Sequence, residues 1–207
     1  PRMGRNITAT SFNNTLSFAS TPNTIFGNIA LGASGTFSGT QVLTLAGRGA
    51  QTITSNTKSW MQPIMLAAFG GTYTQQDNFD STNSISQTNG TWASGLFNTV
   101  FTSFSSAGAL TRAISGTGIW SLSGTSVPWT ASSTLGVSGF TATIKLTGAI
   151  TSATFAGAGL TYGNLWWSNT AATGYKVIGV VGGVKHPLKA DAPYRQYAGF
   201  ADAISHL

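Results

Sequence analysis

The chain has no cysteine and no glutamate, and charge of either sign is scarce. Without cysteine there is neither a disulfide framework nor a thiolate metal site, so packing and backbone hydrogen bonds must hold the fold. That suits a cytosolically assembled protein, such as a bacterial or viral structural component. Charged residues make up 7% of the chain, against roughly a quarter in an ordinary soluble domain. The acids are Asp77, Asp80, Asp191 and Asp202 alone. Helix surfaces rely on Glu, Lys, Arg and Gln, and their scarcity argues against a helical protein. No segment approaches the roughly 18 apolar residues of a membrane span, and no charged start followed by an apolar run marks a secretory signal. No membrane span is expected.

What fills the 207 residues instead is glycine, 26 of them, with abundant Thr, Ser and Asn and six tryptophans. Thr, Val, Ile, Phe, Tyr and Trp favour pleated, half-buried surfaces. Short runs such as "NTLSFAS", "QVLTLAG", "AQTITSN", "GTYTQQDNF" and "TATIKLTG" are separated by Gly, Asn and Ser. In "QVLTLAG" Leu43 and Leu45 alternate with Val42 and Thr44; in "TATIKLTG" Ala142, Ile144 and Leu146 oppose Thr143 and Lys145. The fold class is all-β. A degenerate Gly-x-aromatic unit recurs at Phe37, Tyr73, Trp92 and Trp120, and "TIFGNIAL" echoes "LTYGNLWW". Unequal spacing between such echoes suits a parallel β-solenoid, whose turns bury matching side chains while their loops vary. A β-sandwich or jelly roll is the alternative.

Three parts follow from composition: a basic N-terminal arm (1–7), a solenoid-like body (8–175), and a C-terminal strand and extended tail (176–207). The tail holds both histidines and six of the fourteen charged residues. "KVIGVVGGV" is expected as a strand and "AGFADAISHL" as a short helix. The net charge of +6 is concentrated at the two ends. A nucleic-acid platform clusters its cations on one face among aromatics, so no nucleic-acid partner is expected. The ends instead suit contact with an acidic protein surface. Anchoring candidates are Arg2, Arg5, Lys185, Lys189, Tyr194, Arg195, Tyr197 and Phe200, with Trp166 and Trp167. Adjacent strand residues point to opposite faces, so one tryptophan of the pair must be covered by a neighbouring turn or subunit. Tyr162 and Leu165 are expected on the inner face.

Catalytic chemistry finds little purchase. Asp77 and Asp80, three apart in an extended run, point to opposite faces and do not make a glycosidase pair. "DNFDSTN" offers Asp77, Asn78, Asp80 and Asn83 as cation ligands, but without the acid density of a recognised calcium loop. No phosphate loop, dinucleotide fingerprint or HExxH is present. No catalytic residue, metal or cofactor is expected.

Taken in order, "TIFGNIALGASGTFSGTQVLTLAGRGAQTITSN", "GGTYTQQDNFDSTNSISQTNGTW", "FTSFSSAGALTRAISGTGIWSLSGTSVPW" and "ATFAGAGLTYGNLWWSN" resemble the repetitive Gly/Thr/Ser-rich structural proteins of tailed bacteriophages. The resemblance spans about 22–170. It implies a β-helical or β-rich component of the virion exterior, in tail fibres or spikes or decorating the head. It further implies capsid or tail proteins as partners, homo-oligomeric and often trimeric assembly, and no catalytic residues. Members are often longer, and the basic tail has no counterpart in the pattern. A host-glycan receptor module, reading sugars on aromatic faces, is the alternative function.

Overall fold

The computed structural model describes residues 2–18, 21–149, 152–168, 174–186 and 195–197; for residues 2, 3, 152, 153, 167, 174–186 and 195–197 the description is of the backbone. Everything regular in these residues is strand, wound as a parallel β-solenoid of about seven turns. The first turn is β1 (Arg2–Gly4), β2 (Ile7–Ala9) and β3 (Thr15–Ser17); the second is β4 (Asn23–Ile25), β5 (Ile29–Leu31) and β6 (Thr36–Ser38). The third comprises β7 (Leu43–Leu45), β8 (Ala50–Thr54) and β9 (Ser59–Trp60). In the fourth and fifth turns two faces share one long strand: β10 (Ile64–Gln75) with β11 (Phe79–Ser81), then β12 (Ile85–Ala93) with β13 (Thr99–Phe101). The sixth is β14 (Phe104–Ser106), β15 (Arg112–Gly116) and β16 (Ile119–Leu122), and the seventh β17 (Trp129–Ala131), β18 (Leu135–Phe140) and β19 (Thr143–Leu146). The uninterrupted β20 (Ser152–Trp167) then pairs with β17 on one face and β19 on another. β21 (Gly174–His186) lies parallel to β20, and β22 (Arg195–Tyr197) pairs antiparallel with β21.

The turns stack in register on three faces. On the first, Asn23, Leu43, Ile64, Ile85, Phe104, Trp129 and Phe155 form one ladder of paired positions, every side chain buried. The step along this ladder ranges from 19 residues (Ile85 to Phe104) to 26 (Trp129 to Phe155). That variation is absorbed in the corners, which explains why the sequence shows only degenerate echoes. On the third face Phe37, Trp60 and Ser81 follow one another, as do Thr99, Trp120, Ile144 and Leu165. At about 4.8 Å per strand spacing, seven turns make a rod body roughly 33 Å long.

Alternation decides what faces inward. Leu43 and Leu45 are buried, as are Ala142, Ile144 and Leu146, in line with the pattern of their runs. The Gly-x-aromatic units all bury their ring, at Phe37, Tyr73, Trp92 and Trp120. They are not structurally equivalent, however. Tyr73 pairs with Trp92 on the second face, whereas Phe37 and Trp120 belong to the third. The echo between "TIFGNIAL" and "LTYGNLWW" is likewise not a structural repeat: Phe26 is exposed at a corner, while Tyr162 is buried. Tyr162 and Leu165 do lie on the inner side.

Rings form the spine of the core. Phe18, Phe37, Trp60, Phe79 and Trp92 follow one another with centroids 5.0–5.2 Å apart through the first five turns. A second cluster joins Phe101, Phe104, Trp120, Trp129, Phe140, Phe155 and Tyr162. Each such pair adds about 0.5–1.5 kcal/mol beyond area burial. Corners close tightly because they are built from glycine. A Cβ on Gly90, whose φ is +83°, would lie 2.3 Å from the Ala68 carbonyl oxygen of the preceding turn. The N-terminal segment is itself part of the ladder. Residues 2–4, expected within an arm, pair in parallel with Asn23–Ile25 of the second turn.

Candidate functional site

The tryptophan pair resolves into two positions. Trp166 pairs in register with Lys145 on the outside of the third face, and the Lys145 Nζ sits 4.2 Å from the Trp166 ring centroid. Lys145, on the preceding turn of the same chain, thus makes a cation–π contact with this ring, worth about 0.5–1 kcal/mol at an exposed site. The Trp167 backbone pairs with Leu146. Lys185 is the register partner of Trp166 on β21 and also pairs with Gln196, while Arg195 and Tyr197 pair with His186 and Val184. Arg2 lies on β1 beside Asn23. Lys189, Tyr194 and Phe200 lie outside the described residues, as does the segment expected as a helix.

Asp77 and Asp80 do not converge. Asp77 stands at the bend between β10 and β11, and its Oδ1 accepts the Ser55 backbone N–H (2.9 Å) and Oγ (3.0 Å), while its Oδ2 accepts the Asn56 N–H. This holds a corner in which Asn56 and Thr57 take left-handed φ values of 51° and 61°, costly for a β-branched residue. Asp80 lies on β11 facing outward, opposite Ser59 and Val100. Among the described residues no group of three His, Cys, Asp or Glu side chains comes together, and no helix is long and apolar enough to cross a membrane.

The constellation that does come together was not visible in the sequence. At the corner between the first and second faces of the first three turns, Arg5, Asn6, Phe26, Gly27, Asn28, Arg48 and Gln51 line an open cleft of about 420 Å³. Its floor is backbone. Gly27 sits so close to the turn before it that a Cβ would be 1.9 Å from Asn6 Oδ1 and 2.1 Å from the Arg5 carbonyl oxygen. Its asparagines form a ladder: the Asn28 N–H donates to Asn6 Oδ1 and the Thr52 N–H to Asn28 Oδ1, each at 2.9 Å. Both amide oxygens are thereby fixed, and neither Nδ2 has a partner among the described residues. Below the cleft, the Tyr73 hydroxyl donates to the Ile25 carbonyl oxygen (3.0 Å) and accepts the Gly47 N–H (3.1 Å), locking three turns together. Burial pushes the Tyr73 hydroxyl above its ordinary pKa, against the pull of its backbone hydrogen bond to Gly47, so it stays neutral. Arg48 lies 6.0 Å from the exposed Phe69 ring, and neither Arg5 nor Arg48 has an acid partner among the described residues. A second asparagine ladder, Asn78 to Asn98 to the Ile119 N–H, stabilises another corner by the same bonds. No arginine stands beside it.

A different arginine is internal. Arg112, 2% exposed, faces inward on β15 and donates from Nη2 to Ser132 Oγ (2.7 Å) and to Thr134 Oγ1. Its Nε and Nη1 have no hydrogen-bond partner, and burial lowers its pKa below the ordinary guanidinium value. Compared with protein-family models, with curated proteins and with solved structures, the chain matches none.

Proposed function

We propose that the chain is a non-enzymatic structural protein of a bacteriophage virion, carried on the particle exterior as a head decoration or as an accessory subunit of a tail or fibre. The observation that carries this reading is the file of aromatic rings running turn to turn through the core. A body held by ladder bonds on three faces and by two successive clusters of packed rings resists bending and gives proteases few openings. Its work is mechanical. Asp77, the acid best placed for chemistry by sequence, spends its carboxylate on a corner of the preceding turn. The ordered Gly/Thr/Ser-rich runs add the phage resemblance. In this reading the cationic positions near the two ends, Arg2 and Arg5 with Lys185 and Arg195, seat the rod on other virion proteins or on sister subunits, a trimer among the assemblies. Quantitative mass spectrometry of purified, salt-washed particles tests it. The chain should be present in a fixed ratio to the major shell protein; its loss on washing, or a ratio that varies between preparations, overturns the reading.

A second reading, binding of a host-surface glycan, is favoured by one observation: the polar cleft at the corner of the first three turns, with an exposed ring on its wall.

A further inference from the structure

We infer that the cleft formed by Arg5, Asn6, Phe26, Asn28, Arg48 and Gln51 binds a short acidic saccharide, its carboxylate or sulfate held between Arg5 and Arg48. The inference rests on the glycan reading and supplies its site and ligand class. Four features converge on it. Two guanidiniums line one cleft with no acid partner among the described residues, so the field there is uncompensated. Guanidinium forks match planar oxyanions in two-point hydrogen bonds, stronger than neutral ones. The asparagine ladder fixes each amide by its oxygen, leaving the Nδ2 donors of Asn6 and Asn28 without partners among the described residues and open to sugar hydroxyls or ring oxygens. Phe26, 42% exposed, offers a flat apolar face beside them, against which the C–H face of a pyranose packs.

The size of the charged set separates a saccharide from a polynucleotide. Nucleic-acid affinity is built from many phosphate contacts along a track. Here the cleft has two cations, and the other cations of the body do not extend it: Lys58 lies at a different corner, between β8 and β9, Arg112 is buried, and Lys145 lies against Trp166. Nor is the asparagine ladder alone the signal, since the Asn78–Asn98 corner repeats it without guanidiniums.

The test is calorimetric or NMR titration of the full chain with four probes: a disaccharide carrying one uronic acid, the same core carrying one sulfate, the neutral disaccharide, and inorganic sulfate. Both acidic sugars should bind, more weakly as salt is raised, and the neutral sugar should not. Arg5→Ser and Arg48→Ser should each weaken acidic-sugar binding about tenfold, the usual worth of a charge-assisted hydrogen bond. Both positions are exposed, so melting should be unchanged and lost binding will not report lost folding. Phe26→Leu should weaken the sugars and leave inorganic sulfate unaffected. Inorganic sulfate binding as tightly as the acidic sugars overturns the saccharide assignment. Neutral sugars binding equally well, with affinity intact in both arginine variants, overturns the acidic cleft while sparing the glycan reading. Silence towards every saccharide overturns both.

Discussion

Trp120→Ala is the substitution to which the solenoid should respond most instructively. Trp120 lies on the sixth turn, fully buried, with ring centroids at 5.4 Å from Phe101, 5.6 Å from Phe104, 6.0 Å from Trp129 and 4.9 Å from Phe140. Those partners belong to the fifth, sixth and seventh turns, so a single side chain couples three repeats. Its Nε1 donates to Ser94 Oγ at 3.0 Å, but Ser94 also donates to the Ser115 carbonyl oxygen and is not orphaned. The cost is therefore that of a large aromatic cavity, about 3–5 kcal/mol. At roughly 2–4 °C per kcal/mol for a chain of this size, melting should fall by about 6–20 °C. Trp120→Phe keeps a ring in the site and should cost about 1–2 kcal/mol. Because stability in a repeat protein is a sum over turns and their interfaces, the loss should be local. Hydrogen exchange should show 99–146 opening well before 43–75, where Leu43, Trp60 and Tyr73 are untouched. A loss under about 1 kcal/mol, or protection falling equally in both regions, would refute the claim that this ring cluster couples the turns.

Three further outcomes follow from other contacts. Asp77→Asn removes acceptor capacity from three donors of the Ser55–Asn56 corner, so denaturant unfolding should show a loss of about 1–3 kcal/mol, with faster proteolytic nicking at 55–58. Arg112→Met replaces a buried cation that lacks a counter-charge, and stability should hold or rise by about 1–3 kcal/mol; a fall beyond about 1 kcal/mol would show that the bonds to Ser132 and Thr134 outweigh desolvation. Burial raises the Tyr162 hydroxyl to a pKa of about 12, above its unfolded value of 10.0. Its protonated form is thus favoured by folding, and the stability it contributes, present in full below pH 10, should be lost as pH rises towards 12. Melting temperature against pH in this window should fall more steeply for the native chain than for Tyr162→Phe, and equal slopes would refute the assignment.

Strand content and the inward set were readable from the sequence because alternation is a local signal. Leu43 with Leu45, and Ala142 with Ile144 and Leu146, needed only their own neighbours to be placed. What joins one turn to the next was not readable, because the step between equivalent positions varies and no fixed period announces which residues will stack. Asn6 and Asn28 are 22 residues apart and Asn28 and Thr52 are 24 apart along the hydrogen-bonded ladder. Only coiling shows that Arg5 and Arg48 share a cleft. The Asp77 clamp is hidden for the same reason, its partners lying 21 and 22 residues away. Arg112 could have been found: Arg112, Ile114 and Gly116 alternate on β15, and all three are buried. Residue type argued for solvent, and the alternation was the better guide.

The strands of the first turn, β1, β2 and β3, pair only with β4, β5 and β6 among the described residues. Their other edges all look the same way along the rod, and all three run in one rotational sense. The molecule is therefore a vector. Two copies brought start to start would present opposed circulation, so their edges would meet antiparallel and the side-chain columns would not continue. A head-to-tail joint alone can set strands of one sense edge to edge, except where the antiparallel β22 lies beside β21, and such a joint repeats without closing. Direction, rather than shape, is what this fold offers to any assembly built along its axis.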